Sequence, residues 1–195
     1  MIYRFNLILV FLGLFLLSGF TQEMEKKSNQ NEMPVFCQEF LGQIAFVQGR
    51  IMELEDAMPQ DKYTWRPMEG VRSVGEAYRH IAFANYGFPG MIGFESSSDI
   101  SMKDDPKKWE TATTDKREIA DDLKNSFDVL TETVRKISAD DLNKMVHVFG
   151  MDMTIRNFMM STLGHLHEHL GQSIAYARMN KVTPPWTARQ QQSTN

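Results

Sequence analysis

Three of the chain's five histidines fall within ten residues, over 163–172, as Leu-Gly-His-Leu-His-Glu-His-Leu-Gly-Gln. In a helix, His165 and His169 stand four apart, so both imidazoles share one face about one turn from each other, the spacing by which a helix offers two ligands to one metal. His167 then points largely away. Glu168, three residues after His165, flanks the same face, where it could orient a ligand or move a proton. His165, Glu168 and His169 also satisfy the inverted zinc-protease signature His-x-x-Glu-His. That class draws a further carboxylate ligand from well downstream, and no Asp or Glu follows Glu168 here, so a third ligand must come from upstream. The alternative is that these histidines are solvated or core residues that hold no metal.

The elements that would position such a site can be read from the apolar periods. Phe36, Phe40, Leu41, Ile44, Val47, Ile51 and Leu54 recur at threes and fours and predict a helix over 35–57, which Pro59 and Asp61 stop. Ser73-Val74-Gly75-Glu76 is a capping box that opens a second helix, over 74–88, carrying His80, with the Gly87, Pro89 and Gly90 group expected to kink or end it. Residues 93–114 read as a long polar connection with a short turn around Trp109, of the kind that often lines sites. Asp115-Lys116-Arg117-Glu118 starts a third helix over 115–137, and a fourth over 154–179 carries the histidine-rich stretch. Val146-His147-Val148-Phe149-Gly150 is a turn or strand-like link holding His147. Four long amphipathic helices without a convincing sheet imply an all-α four-helix bundle, and the fourteen methionines suit its core.

The ends set the expected organisation. Arg4 followed by an apolar run over 7–17 is the layout of a secretory signal over 1–21, too short for a comfortable transmembrane span of about 20 apolar residues, with an uncleaved N-terminal anchor as the alternative. Residues 22–33 read as a polar linker, 34–186 as the helical domain and 187–195 as a disordered tail. The protein is therefore expected outside the cytoplasm, touching a membrane only if the N-terminal segment is retained. A formal net charge of -4 with no Lys/Arg cluster argues against a nucleic-acid partner and for a small molecule. Cys37, the only cysteine, can form no internal disulfide and reads as a small buried apolar residue.

Taken together, Trp65-Arg66-Pro67, the run from Gly70 through Glu76 ahead of His80-Ile81-Ala82, the final His165-x-x-x-His169-x-Gly171-Gln172, and Pro184-Pro185 make the chain resemble the DinB/YfiT-like superfamily of metalloenzymes over about 36–186. The resemblance implies a four-helix bundle in which His80, His165 and His169 bind a divalent metal at its centre, with homodimers common, and it leaves His147 and His167 outside the site. It agrees with the placement of His80 inside a helix that can face the last one. Three imidazoles leave an open position at which a metal can acidify a water or a thiol. Zinc is the expected ion, with nickel, iron or copper also compatible with imidazole donors. The function expected is thus an exported metal-dependent enzyme acting on a small molecule, a hydrolase or a thiol transferase, with Glu168 and Gln172 as the catalytic candidates. The thiol-transferase reading fits an exported setting less well, because low-molecular-weight thiols abound in the cytoplasm. The alternative is a metal- or ligand-binding helical bundle without turnover.

Overall fold

The computed structural model describes residues 32–100 and 105–193. The expected signal, most of the linker and the last two residues lie outside these. Among the described residues six α-helices and one hairpin follow in chain order: α1 (Val35–Ala57), α2 (Val74–Met91), α3 (Pro106–Glu110), α4 (Lys116–Arg135), β1 (Met145–Val148), β2 (Met151–Thr154), α5 (Ile155–Met179) and α6 (Pro185–Ser193). The four long helices fall where the apolar periods place them. Their inward stripes make one core: Phe40, Ile44, Val47, Ile51 and Leu54 of α1 meet Ile119, Leu123, Phe127 and Leu130 of α4 and Leu166 and Leu170 of α5. Among the described residues, no helix is long and apolar enough to cross a membrane.

Local chemistry sets the helix ends. At α2 the Ser73 hydroxyl accepts from the Glu76 N–H, and the Glu76 carboxylate accepts from the Ser73 N–H at 2.9 Å, the reciprocal box that the sequence predicts. The Thr154 side chain caps α5 in the same way through the Asn157 N–H, and Asp115 caps α4 through Arg117 and Glu118. Helix α2 runs past the Gly-Pro-Gly group to Met91, with Pro89 accommodated in its last turn. It closes where Gly93 takes φ 77° and Phe94 N–H returns to Pro89 O at 2.9 Å, the paired bonds of a left-handed C-terminal cap.

One expectation is made specific and one is corrected. The link around His147 is the first strand of an antiparallel hairpin whose register pairs His147 with Asp152 and Val148 with Met151. Phe149 and Gly150 both have positive φ, 53° and 76°, which is the two-residue turn whose twist matches its strands. The second strand is too short, at four residues, to show a period in the sequence. The expected disordered tail over 187–195 is helical as far as Ser193: α6 starts at Pro185, its Trp186 ring lies 4.3 Å from the Arg50 guanidinium carbon, and Arg189 pairs with Glu53 at 2.9 Å. A polar composition looks disordered only until its two anchors on α1 are in view.

The short helix α3 lies over α2 beside His80, and a buried cation holds it there. Arg79, 2% exposed, donates its Nε–H to Trp109 O at 2.8 Å, pairs with Asp122 of α4, and lies 4.0 Å from the Trp109 ring centroid. Trp109 answers by donating its indole N–H to Arg79 O at 3.2 Å. One guanidinium therefore clamps α3 and α4 onto α2. Replacing one member of a buried ion pair leaves the other uncompensated, at a cost of about 3 kcal/mol. Arg79→Met should lower unfolding stability by about that much in urea titration; a loss below about 0.5 kcal/mol, the usual effect of a surface change, would show that Arg79 is no clamp.

Candidate metal centre

His80 leaves α2 toward α5, where His165 and His169 project back from successive turns. The three offer ligand atoms that all lie within 4.8 Å of one another, and among the described residues this is the one cluster of its kind. The Nε2 atoms of His80 and His165 are 3.0 Å apart, and the ring centroids of His169 lie 4.8 Å from His80 and 4.5 Å from His165. A tetrahedral ion with nitrogen bonds of about 2.0–2.1 Å spaces its donors by about 3.3 Å, which falls between the 3.0 Å of the His80–His165 pair and the 4.8 Å bound on the whole triad, so small ring adjustments would surround one.

Two of the rings are aimed by their other nitrogen. His80 donates its Nδ1–H to Glu110 Oε1 at 2.7 Å, and His169 donates its Nδ1–H to Gln172 Oε1 at 2.7 Å. Both acceptors require the proton on Nδ1, which turns an Nε2 lone pair toward the shared centre. The supports are themselves held. Arg72 grips Glu110 with Nε–H and Nη2–H at 2.8 and 2.9 Å, while Gln172 donates to the Tyr176 hydroxyl at 3.0 Å, and that hydroxyl donates to Arg72 O at 3.0 Å. Trp65 stacks edge-on against the Tyr176 ring at 5.4 Å, which closes this side of the core.

The electrostatics suit a donor set. Burial first, then the neighbouring His169 and His80 and the Arg72 charge, depress His165 to about 3, and burial likewise lowers His169 against the opposing pull of Gln172. Both imidazoles are neutral near pH 7, the form that ligates. Burial pushes Glu110 upward, but hydrogen bonds from His80 and Arg72 and their charges outweigh it and leave the carboxyl below its usual range. The residues present thus fit a divalent ion: three imidazoles converge, two of them aimed through their second nitrogen, beside a carboxylate already committed to one of them.

The sequence-derived candidates separate accordingly. His80, His165 and His169 come together, while His167 faces solvent and His147 sits exposed on β1 against Asp152 at 2.7 Å. Gln172 acts by positioning His169. Glu168 is exposed and makes no hydrogen bond to the triad among the described residues, though its charge reaches His169 and opposes the lowering of that imidazole by burial. Glu76, one turn before His80 on α2, is occupied by its capping box and by Arg66 at 2.8 Å. Sequence reasoning missed Glu110, Arg72 and Tyr176. The signal for Glu110 was present in Asp105-Pro106, an N-cap followed by proline at the first helical position, which marks the start of the short helix that bears it.

The sequence model of a family described as the DinB superfamily matches residues 43–173, a span that contains all three histidines and Glu110. A search of curated proteins finds no match. Among solved structures, a DinB-like protein from Bacillus cereus ATCC 10987 is similar with a TM-score of 0.66 at 19% identity, covering 76% of this chain and 95% of its own. A DinB-like protein from Bacillus subtilis gives a TM-score of 0.57 at 15% identity, covering 74% of this chain and 94% of its own. At these identities the likeness speaks for the fold.

The depressed His165 makes a prediction about acid. A histidine neutral in the fold but ordinary when unfolded leaves stability complete above about 6.5 and removes it as pH falls toward about 3, since the unfolded chain takes up the proton first. Between pH 7 and 4.5 the metal-free protein should lose about 2 kcal/mol through this residue. Urea midpoints should therefore fall more steeply over that range in the parent than in His165→Leu; equal slopes would place the His165 proton elsewhere.

Proposed function

The chain belongs to the DinB superfamily, and from that membership and the geometry of its histidines we propose that it is a metal-dependent enzyme acting on a small molecule. One observation carries the reading: three imidazoles from two helices converge within 4.8 Å, with two of them oriented by hydrogen-bond acceptors on their second nitrogen. The four long helices are read as a bundle with the centre between α2 and α5, a common place for metal sites in such folds.

His80, His165 and His169 would hold a divalent ion, zinc by preference among several metals that imidazole accepts. When bound, such an ion with an open position supplies Lewis acidity to a substrate oxygen or sulfur. The protein's own residues do the rest. Gln172 and Glu110 fix the rings of His169 and His80, Arg72 keeps Glu110 ionised, and burial keeps His165 free of a competing proton. Glu110 also keeps a negative charge 2.7 Å from His80 Nδ1, which makes that ring the stronger donor to an ion. The charged start and apolar run of the sequence support an exported protein, which favours hydrolysis over transfer of a cytoplasmic thiol.

Elemental analysis of protein purified without a histidine-bearing tag tests this. Each of His80→Ala, His165→Ala and His169→Ala should reduce bound metal sharply, whereas His147→Ala and His167→Ala should leave it near one equivalent. Glu110→Gln should weaken metal affinity about 10- to 100-fold, the usual loss when a ligand's supporting hydrogen bond is removed. Equal losses across all five histidine variants would defeat the assignment. A parent that binds metal yet turns over no ester, amide or thiol substrate would instead leave a metal-binding bundle without catalysis.

A further inference from the structure

A cleft of about 680 Å³ runs between the loop over 66–72, the start of α2 and α3, and Gln172 and Glu110, the groups that aim His169 and His80, form part of its wall. Its volume lies in the range of small-molecule sites. The charged side chains along it are Arg66, Arg72 and Lys107 on one hand and Glu76, Asp105 and Glu110 on the other. Formal charge therefore cancels along the wall.

Hydrogen-bonding capacity does not cancel. Glu76 accepts from Arg66 and from the Ser73 N–H, and Glu110 accepts from His80 and twice from Arg72. Asp105 accepts the N–H groups of Lys107 and Lys108. Each carboxylate is thus engaged by donors of the protein itself. Among the described residues the cations retain donors: Arg72 uses Nε and Nη2 on Glu110 and has no partner for Nη1, and Arg66 uses Nη1 on Val71 O and Nη2 on Glu76 and has none for Nε. The exposed Lys107 ammonium has no partner among the described residues. What the wall offers a ligand is therefore N–H groups on positive charge, which suit oxyanions.

We propose that this cleft takes the acidic group of a small anionic substrate, a carboxylate or a phosphate, and so presents the rest of that molecule to the histidine centre. The proposal rests on the reading of that centre as the place of reaction, but the anion contact itself is made by Arg66, Arg72 and Lys107 and needs no metal. Binding by these residues should be saturable, sensitive to salt and independent of the ion.

Isothermal titration of inorganic phosphate and, separately, of succinate into the purified protein at low ionic strength is the test, run on zinc-loaded and on zinc-stripped samples. Expected is one-to-one binding of at least one probe in both samples, weakened about tenfold or more in Lys107→Gln and in Arg66→Gln and unchanged in Lys124→Gln, which lies outside the cleft. Tighter phosphate assigns a phosphoryl substrate and tighter succinate a carboxylate. Lys107 makes no side-chain contact that the fold needs, so its variant keeps the test open if Arg66→Gln misfolds. Saturable binding of neither probe, or equal binding by parent and Lys107→Gln, overturns the proposal while zinc content measured on the same samples still judges the histidine centre. An anion that binds only with zinc present, and equally well in Lys107→Gln, is a ligand of the metal and also overturns it.

Discussion

The hydrogen bond from His80 Nδ1 to Glu110 is the contact through which the rest of the structure becomes a site. It fixes a ring on α2 with a carboxylate that arrives from α3, thirty residues later in the chain. A buried carboxylate needs donors on its remaining lone pairs, and Arg72 supplies two of them. Arg72 O in turn receives the Tyr176 hydroxyl, which receives Gln172, which aims His169. Two imidazoles from different helices are thereby oriented by one connected set of polar groups, and α5 alone provides the third by its own helical spacing.

That set is stable only if α3 stays where it is, and α3 is five residues long, too short to persist on its own propensity. Its position is supplied from below by Arg79, whose guanidinium lies against the Trp109 ring and bonds to the Trp109 carbonyl and to Asp122. Arg79 and His80 are adjacent on α2 and point to different sides. One anchors the segment that bears Glu110, and the other donates its hydrogen bond to Glu110. The function of the site and the packing of the fold meet at this pair of neighbouring residues.

How much of this the sequence discloses follows from how local each feature is. The four long helices were legible because a 3.6-residue apolar period repeats over many turns, and the pair His165 and His169 because four residues make about one turn. The family pattern added His80. The Asp105-Pro106 cap marks the helix that bears Glu110, but its meeting with His80 was not legible, because that depends on how a long polar connection folds back, and no period records it. Glu168 was singled out by its place three residues after His165, and in the fold it reaches the centre through its charge on His169 rather than through a hydrogen bond. The second strand of the hairpin and α6 were missed because a four-residue strand and a polar helix owe their structure to the turn at Phe149 and Gly150 and to contacts with Arg50 and Glu53.

The central claim is that His80, His165 and His169 together surround one divalent ion. X-ray absorption at the zinc edge of the zinc-loaded protein addresses the coordination itself. The expected shell contains three imidazole nitrogens at about 2.0–2.1 Å, with the outer-ring scattering that imidazoles produce. A shell with one or no imidazole, or one built mainly from carboxylate oxygens, would contradict it.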